Sequence, residues 1–96
     1  MSKKVHHKKQ KQNLKQLQEE DLIFLIQNTQ HHSWITRFNA FEKLTETIQE
    51  ISSEKIKISE ELFDELIQCH IDHMNDLHFK VSLNCLTSLT KLFSLF

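Results

Sequence analysis

The chain has 96 residues, a formal net charge of −1, and neither glycine nor proline. Its length allows one domain at most, and a domain of this size buries a limited core. The missing glycine and proline exclude the usual chemistry of hairpins and tight turns and leave helices as the simplest reading.

Residues 1–17 carry Lys3, Lys4, Lys8, Lys9, Lys11 and Lys15 and no acidic residue before Glu19. The chain is thus a cationic tail of about +6 on a body of about −7. The tail is expected to be disordered, and its charge suits it to acidic protein tails, nucleic acid or lipid. Leu14 and Leu17 extend the first helix backwards only weakly. Apolar spacing predicts that helix over 18–28, with Glu19, Glu20 and Asp21 in the turn where the helix dipole favours negative charge. Leu22, Ile23, Leu25 and Ile26 supply its apolar face.

Thr29-Gln30-His31-His32 reads as a short polar connection. A second helix starts near Trp34, with Ser33 placed to cap it. Trp34, Phe38, Phe41, Leu44, Ile48 and Ile51 form a clean helical stripe, and Glu42, Lys43, Glu46 and Glu50 lie off it. Ser52-Ser53-Glu54 marks the next connection. Lys55-Ile56-Lys57-Ile58 alternates like a short strand, but no partner strand is evident, so it reads as linker or helix lead-in.

The third helix is predicted over 60–73. Ser59 can cap it, and Glu60 and Glu61 fill its first turn. Its expected inner face is Leu62, Phe63, Leu66, Ile67, His70 and Ile71. Asn75-Asp76 closes it, and Asp76 is placed to cap a fourth helix over 79–95. The apolar residues of that last helix cover more than one face, which calls for a cover on both sides. The expected cover is a partner protein, self-association through Leu89, Leu92, Phe93 and Phe96, or further helices of a longer array.

Each half of the chain is thus a helix, a polar loop and a longer helix, a unit of roughly 40 residues of the kind that stacks. The residues that carry the loops also carry a resemblance. Trp34-Ile35-Thr36-Arg37-Phe38-Asn39-Ala40-Phe41-Glu42-Lys43-Leu44 resembles the first repeat of TOG domains, the HEAT-repeat modules of CLASP-type microtubule regulators. The shared pattern is Trp34, Arg37, Ala40 and Leu44. Asp76-Leu77-His78-Phe79-Lys80-Val81-Ser82-Leu83-Asn84-Cys85-Leu86 is similar to the second repeat. The similarity spans residues 18–96 and covers fewer repeats than a whole TOG domain holds.

This resemblance implies an all-α fold of two antiparallel helix pairs stacked as HEAT-like α-solenoid repeats. It implies tubulin or microtubules as partner, met by the loops within each pair, and a cytoplasmic, cytoskeletal setting such as cilium or spindle. Carried over by position, the expected contact residues are Trp34, His78, Phe79 and Lys80. Arg37 joins them as a brace for the loop as much as a contact. Two roles are open to Trp34, contact or core, since it also begins the stripe of the second helix. Arg37 and Lys80 are equally open to being solvated surface cations.

Other function classes find less support. Cys69 and His73 are four apart on a helix, a ligand spacing, with His70, Asp72 and His78 nearby, but no second pair completes a closed zinc site. No metal and no cofactor is assigned. No phosphate-cradling loop or nucleophile motif is present, so the chain is not read as an enzyme. The basic tail alone would give only salt-dependent contact with nucleic acid. Cys69 and Cys85 read as packed thiols of a reducing compartment. No signal-peptide core precedes the body, Ser2 is not the glycine that myristoylation needs, and Leu22-Ile23-Phe24-Leu25-Ile26 is too short to span a bilayer.

Overall fold

A computed structural model of the protein describes the backbone of residues 3–95 and the side chains of residues 16–95. Among these residues the fold is all-α: α1 (Lys3–Asn28), α2 (Trp34–Ser53), α3 (Glu60–His73), α4 (Phe79–Leu92) and a closing 3-10 turn (Phe93–Leu95). The expected starts of α2, α3 and α4 agree with the observed ones. α1 is helical from Lys3, well before residue 18. Lys, Gln and Leu favour helix and nothing in the segment stops one, whereas apolar periodicity detects only the part that packs. The tail expected to be disordered over 1–17 thus has a helical backbone from Lys3, and the side chains of residues 1–15 lie outside the described residues.

The core draws on every helix. Leu22 and Leu25 come from α1, Phe41, Leu44, Ile48 and Ile51 from α2, Leu62, Leu66 and Cys69 from α3, and Val81, Cys85 and Leu92 from α4. Full burial of each large apolar side chain contributes about 1.5–3 kcal/mol. α2 packs on α4 and α1, and α3 packs on α4 and α1. On α2 the predicted stripe is the buried one, with Trp34 and Phe38 half-buried at its loop end.

The flanking helices are turned slightly from their expected faces. Along α1 and into the turn after it the buried set is Gln18, Leu22, Leu25 and Thr29, at steps of four, three and four, and Ile23 is exposed. On α3 it is Leu62, Leu66, Cys69 and His70, and Ile71 is exposed. Polar residues take part in both faces through hydrogen bonds, with Gln18 Oε1 the one buried polar atom among the described side chains left without a partner. Thr29 Oγ1 donates to the Ile26 carbonyl at 2.6 Å, and Gln18 Nε2 donates to Glu50 Oε1 at 2.6 Å.

The segment after α2 forms no strand. Ile56 N–H donates to the Ile51 carbonyl at 3.1 Å and Lys55 N–H to the Ser52 carbonyl at 3.2 Å. These are the two bonds of a Schellman stop. The stop needs a left-handed residue, and Lys55 takes that place with φ 55°. Ile56 and Ile58 then pack against the core, and Ser59 caps α3 by accepting the Leu62 N–H at 3.2 Å.

α4 accounts for its two apolar faces. Val81, Cys85, Ser88 and Leu92 point inward, and Phe79, Leu83 and Leu86 point out. This corrects the expected association surface: Leu92 is buried and Leu89 is half-buried against the core. Their register follows Cys85 and Ser88, and Ser88 is the member of that face which an apolar reading leaves out. Phe93 is exposed, and Phe96 lies outside the described residues. No helix among the described residues is long and apolar enough to cross a membrane.

Candidate binding edge at the inter-helix loops

The α1–α2 and α3–α4 loops lie on one edge of the molecule, and Arg37 ties them together. From the first turn of α2 its Nε donates to Asp76 Oδ2 and its Nη2 to Asp76 Oδ1, both at 2.9 Å. Its Nη1 donates to the carbonyls of His31 at 3.0 Å and His32 at 2.9 Å. One planar guanidinium thus holds its own loop and the loop 39 residues later.

Asp76 is the hub of the edge. Besides Arg37, its carboxylate accepts from His73 Nδ1 at 2.9 Å and from the His78 backbone N–H at 2.9 Å. Four hydrogen bonds fill its acceptor sites. Its side chain is 4% exposed and that of Arg37 14%. Burial pushes the Asp76 carboxyl up, but the Arg37, His78 and His73 hydrogen bonds outweigh that and hold it well below the usual carboxylate range. The bond to Asp76 raises Arg37 in turn.

Asp76 is therefore not the cap of α4. It closes a turn onto the N–H two residues on, and His78 caps the helix by accepting the Lys80 N–H at Nδ1, 3.3 Å away. Ser33 occupies the N-cap place of α2 without a side-chain bond. Its own N–H donates to His31 Nδ1 at 3.0 Å.

On this braced edge the expected contact residues come together. The half-buried Trp34 indole stacks on the His78 imidazole, with centroids 3.8 Å apart and planes 11° from parallel. It meets Phe38 edge-on at 6.2 Å. Lys80 Nζ lies 5.9 Å from the Trp34 ring, within reach of a cation–π attraction. The His78 ring lies 5.8 Å from that of Phe79, a residue 66% exposed. The result is a short aromatic ridge with one ammonium group over it. Arg37 stands behind the ridge and faces inward. Trp34 packs on Phe38 beneath and on His78 at the surface, and is half-buried between them.

The remaining candidate ligands are dispersed. His70 is fully buried between α3 and α4. Its Nδ1 meets the Leu66 carbonyl at 2.7 Å and its Nε2 meets Ser88 Oγ at 2.7 Å. Of the two neutral tautomers, only the one with hydrogen on Nδ1 satisfies both bonds, with Ser88 donating to Nε2. Desolvation lowers its basicity. Burial likewise pushes the Cys69 and Cys85 thiols up to about 12, which keeps them unreactive. No group of three or more His, Cys, Asp or Glu side chains among the described residues is arranged to hold a metal ion.

Two residues of the edge, His73 and Asp76, were not among the expected contacts. The acidic residue of the second loop pattern was visible, but its link to Arg37 needs the fold. Comparison with known proteins finds no match: no family model fits the chain, and no curated protein or solved structure is similar to it.

Proposed function

We propose that the chain is a non-catalytic protein-binding module of two HEAT-like helix pairs, resembling the start of a TOG domain, that binds tubulin through its loop edge. The observation that carries this reading is the Trp34–His78 stack. It joins one loop of each helix pair into a single surface, with Lys80 beside it. The packing of α2 on α4 and of α1 on α3 supports the repeat arrangement. In this reading Trp34 and Phe79 supply apolar contact, and His78 and Lys80 supply polar and cationic contact to an acidic partner. Arg37 and Asp76 hold the two loops at a fixed spacing. Rigid aromatic anchors beside a cation suit a hot spot, because little side-chain freedom is lost on docking.

Binding of purified tubulin, followed by gel filtration and by co-sedimentation at low salt, tests the reading. Trp34→Glu is expected to weaken binding at least about ten-fold, as loss of a hot-spot aromatic does. Lys80→Glu is expected to weaken it less, and in a salt-dependent way. Circular dichroism confirms that each variant stays helical. A folded wild type that binds no tubulin sinks the proposal.

A second reading rests on the outer side of α4, where Phe79, Leu83 and Leu86 are exposed. It makes the chain a helical scaffold that meets another protein through that face. Polar substitution of Leu83 would then abolish the interaction, and Trp34→Ala would alter stability alone.

A further inference from the structure

Two exposed apolar stripes run along helices at diagonal corners of the bundle, since α1 and α4 each pack on both α2 and α3. On α4, Phe79, Leu83 and Leu86 are 66%, 58% and 41% exposed, opposite the buried Val81, Cys85, Ser88 and Leu92. On α1, Leu17 and Phe24 are 56% and 60% exposed, seven residues apart and so on one face. Beside Phe24 a shallow cleft of about 210 Å³, lined by Asp21, Phe24, Leu25 and Lys43, has room for one aromatic side chain.

The charges around the stripes differ in sign. Glu20 and Asp21 are exposed between Leu17 and Phe24, and Lys43, which lines the cleft beside Phe24, has Glu46 3.8 Å away to offset its charge. α4 carries Lys80 and Lys91 and no acidic residue. Pairing two α4 faces antiparallel about Leu86 would bring Lys80 of one copy toward Lys91 of the other, a repulsive rim. Pairing α4 with the α1 of another copy instead sets both lysines against carboxylates. An apolar centre with a complementary rim is what a specific interface needs.

We infer that the protein associates head to tail with a second copy, the outer face of α4 in one molecule docking on the outer face of α1 in the next. The two patches differ, so the contact is heterologous and propagates beyond a dimer. Phe79 and Lys80 belong to both the α4 face and the loop edge, so the substitutions that separate this association from tubulin binding are made at Leu17, Phe24, Leu83 and Leu86, which lie outside the edge.

Analytical ultracentrifugation across a concentration series tests it with the wild type, Phe24→Asp, Leu83→Asp and an equal mixture of the two variants. The wild type is expected to gain mass with concentration past that of a dimer, and to lose it with added salt. Each variant alone is expected to stay monomeric. The mixture is expected to form a one-to-one pair and nothing larger, because Phe24→Asp keeps an intact α4 face and Leu83→Asp an intact α1 face. A wild type that stays monomeric overturns the inference. So does self-association of Phe24→Asp, which would mean symmetric α4 pairing, or failure of two folded variants to pair. Should Phe24→Asp unfold, the surface charge reversal Asp21→Lys takes its place, and unchanged association in that variant also overturns the inference.

Discussion

The loop edge and the α3–α4 seam both join helices through polar side chains, but only the edge carries charge. At the edge, Asp76 is nearly buried yet accepts four hydrogen bonds, two of them from Arg37. At the seam, His70 is fully buried and faces a carbonyl and a hydroxyl, neither of which compensates a positive charge. An ion pair survives partial burial when every donor and acceptor is satisfied. A lone titratable group at full burial is instead held neutral. The edge thus fixes loop geometry with directional, charge-assisted bonds, and the seam fixes helix register with neutral ones.

The largest expected effect breaks the edge. Asp76→Ala removes the acceptor of Arg37, His73 and the His78 N–H together and leaves a guanidinium half-satisfied. It should cost about 3 kcal/mol, measured by urea unfolding with circular dichroism. A loss as small as that for the exposed Lys43–Glu46 pair, under about 0.5 kcal/mol, would show that the brace is not structural.

Acid separates the two regions by pH window. The folded-state pKa of His70 is lowered, so the unfolded chain binds its proton first. The stability from this group is full above its ordinary value near 6.5 and falls as pH drops below it, with a limiting slope of about 1.4 kcal/mol per pH unit. Asp76 is depressed from its ordinary carboxylate value, so its contribution persists to about pH 4 and is lost below. Unfolding free energies measured between pH 7 and 5 should therefore fall in the wild type, and fall less steeply in His70→Gln. Equal slopes would remove His70 from the account.

Ser88→Ala tests the seam without changing charge. It strips the donor from His70 Nε2 and should cost about 1–2 kcal/mol, seen as a lower urea midpoint with an unchanged slope. The smallest effect lies at the α2–α3 connection, which neither cluster supports. Lys55 sits there at φ 55°, a region that costs a side-chain-bearing residue energy and glycine none. Lys55→Gly should stabilise the protein by about 0.5–1 kcal/mol, and a destabilised variant would mean that the Lys55 side chain has a role of its own.

Much of the fold was legible in the residues. The stripe from Trp34 to Ile51 predicted α2 and its buried face, and Ser59 with Glu60 and Glu61 predicted the start of α3. The helical backbone ahead of residue 18 was missed because its residues favour helix without burying a face. The outward turn of Ile23 and Ile71, and the inward turn of Ser88 and Leu92, were missed because polar residues share the buried faces. The contact ridge was half legible: Trp34 and Lys80 stand out singly, but nothing in their order says that Trp34 stacks on His78.

The sequence by itself determined that this protein is helical, where α2, α3 and α4 start, and which side of α2 is buried, because propensity, capping and periodicity act within a few residues of chain. The tertiary structure alone decided that Arg37 and Asp76 form one brace, that His70 is sealed neutral against Ser88, and that α1 and α4 turn apolar stripes of opposite rim charge to solvent. Those outcomes depend on residues far apart in the chain meeting at hydrogen-bond distance, and only packing of the whole bundle sets that distance.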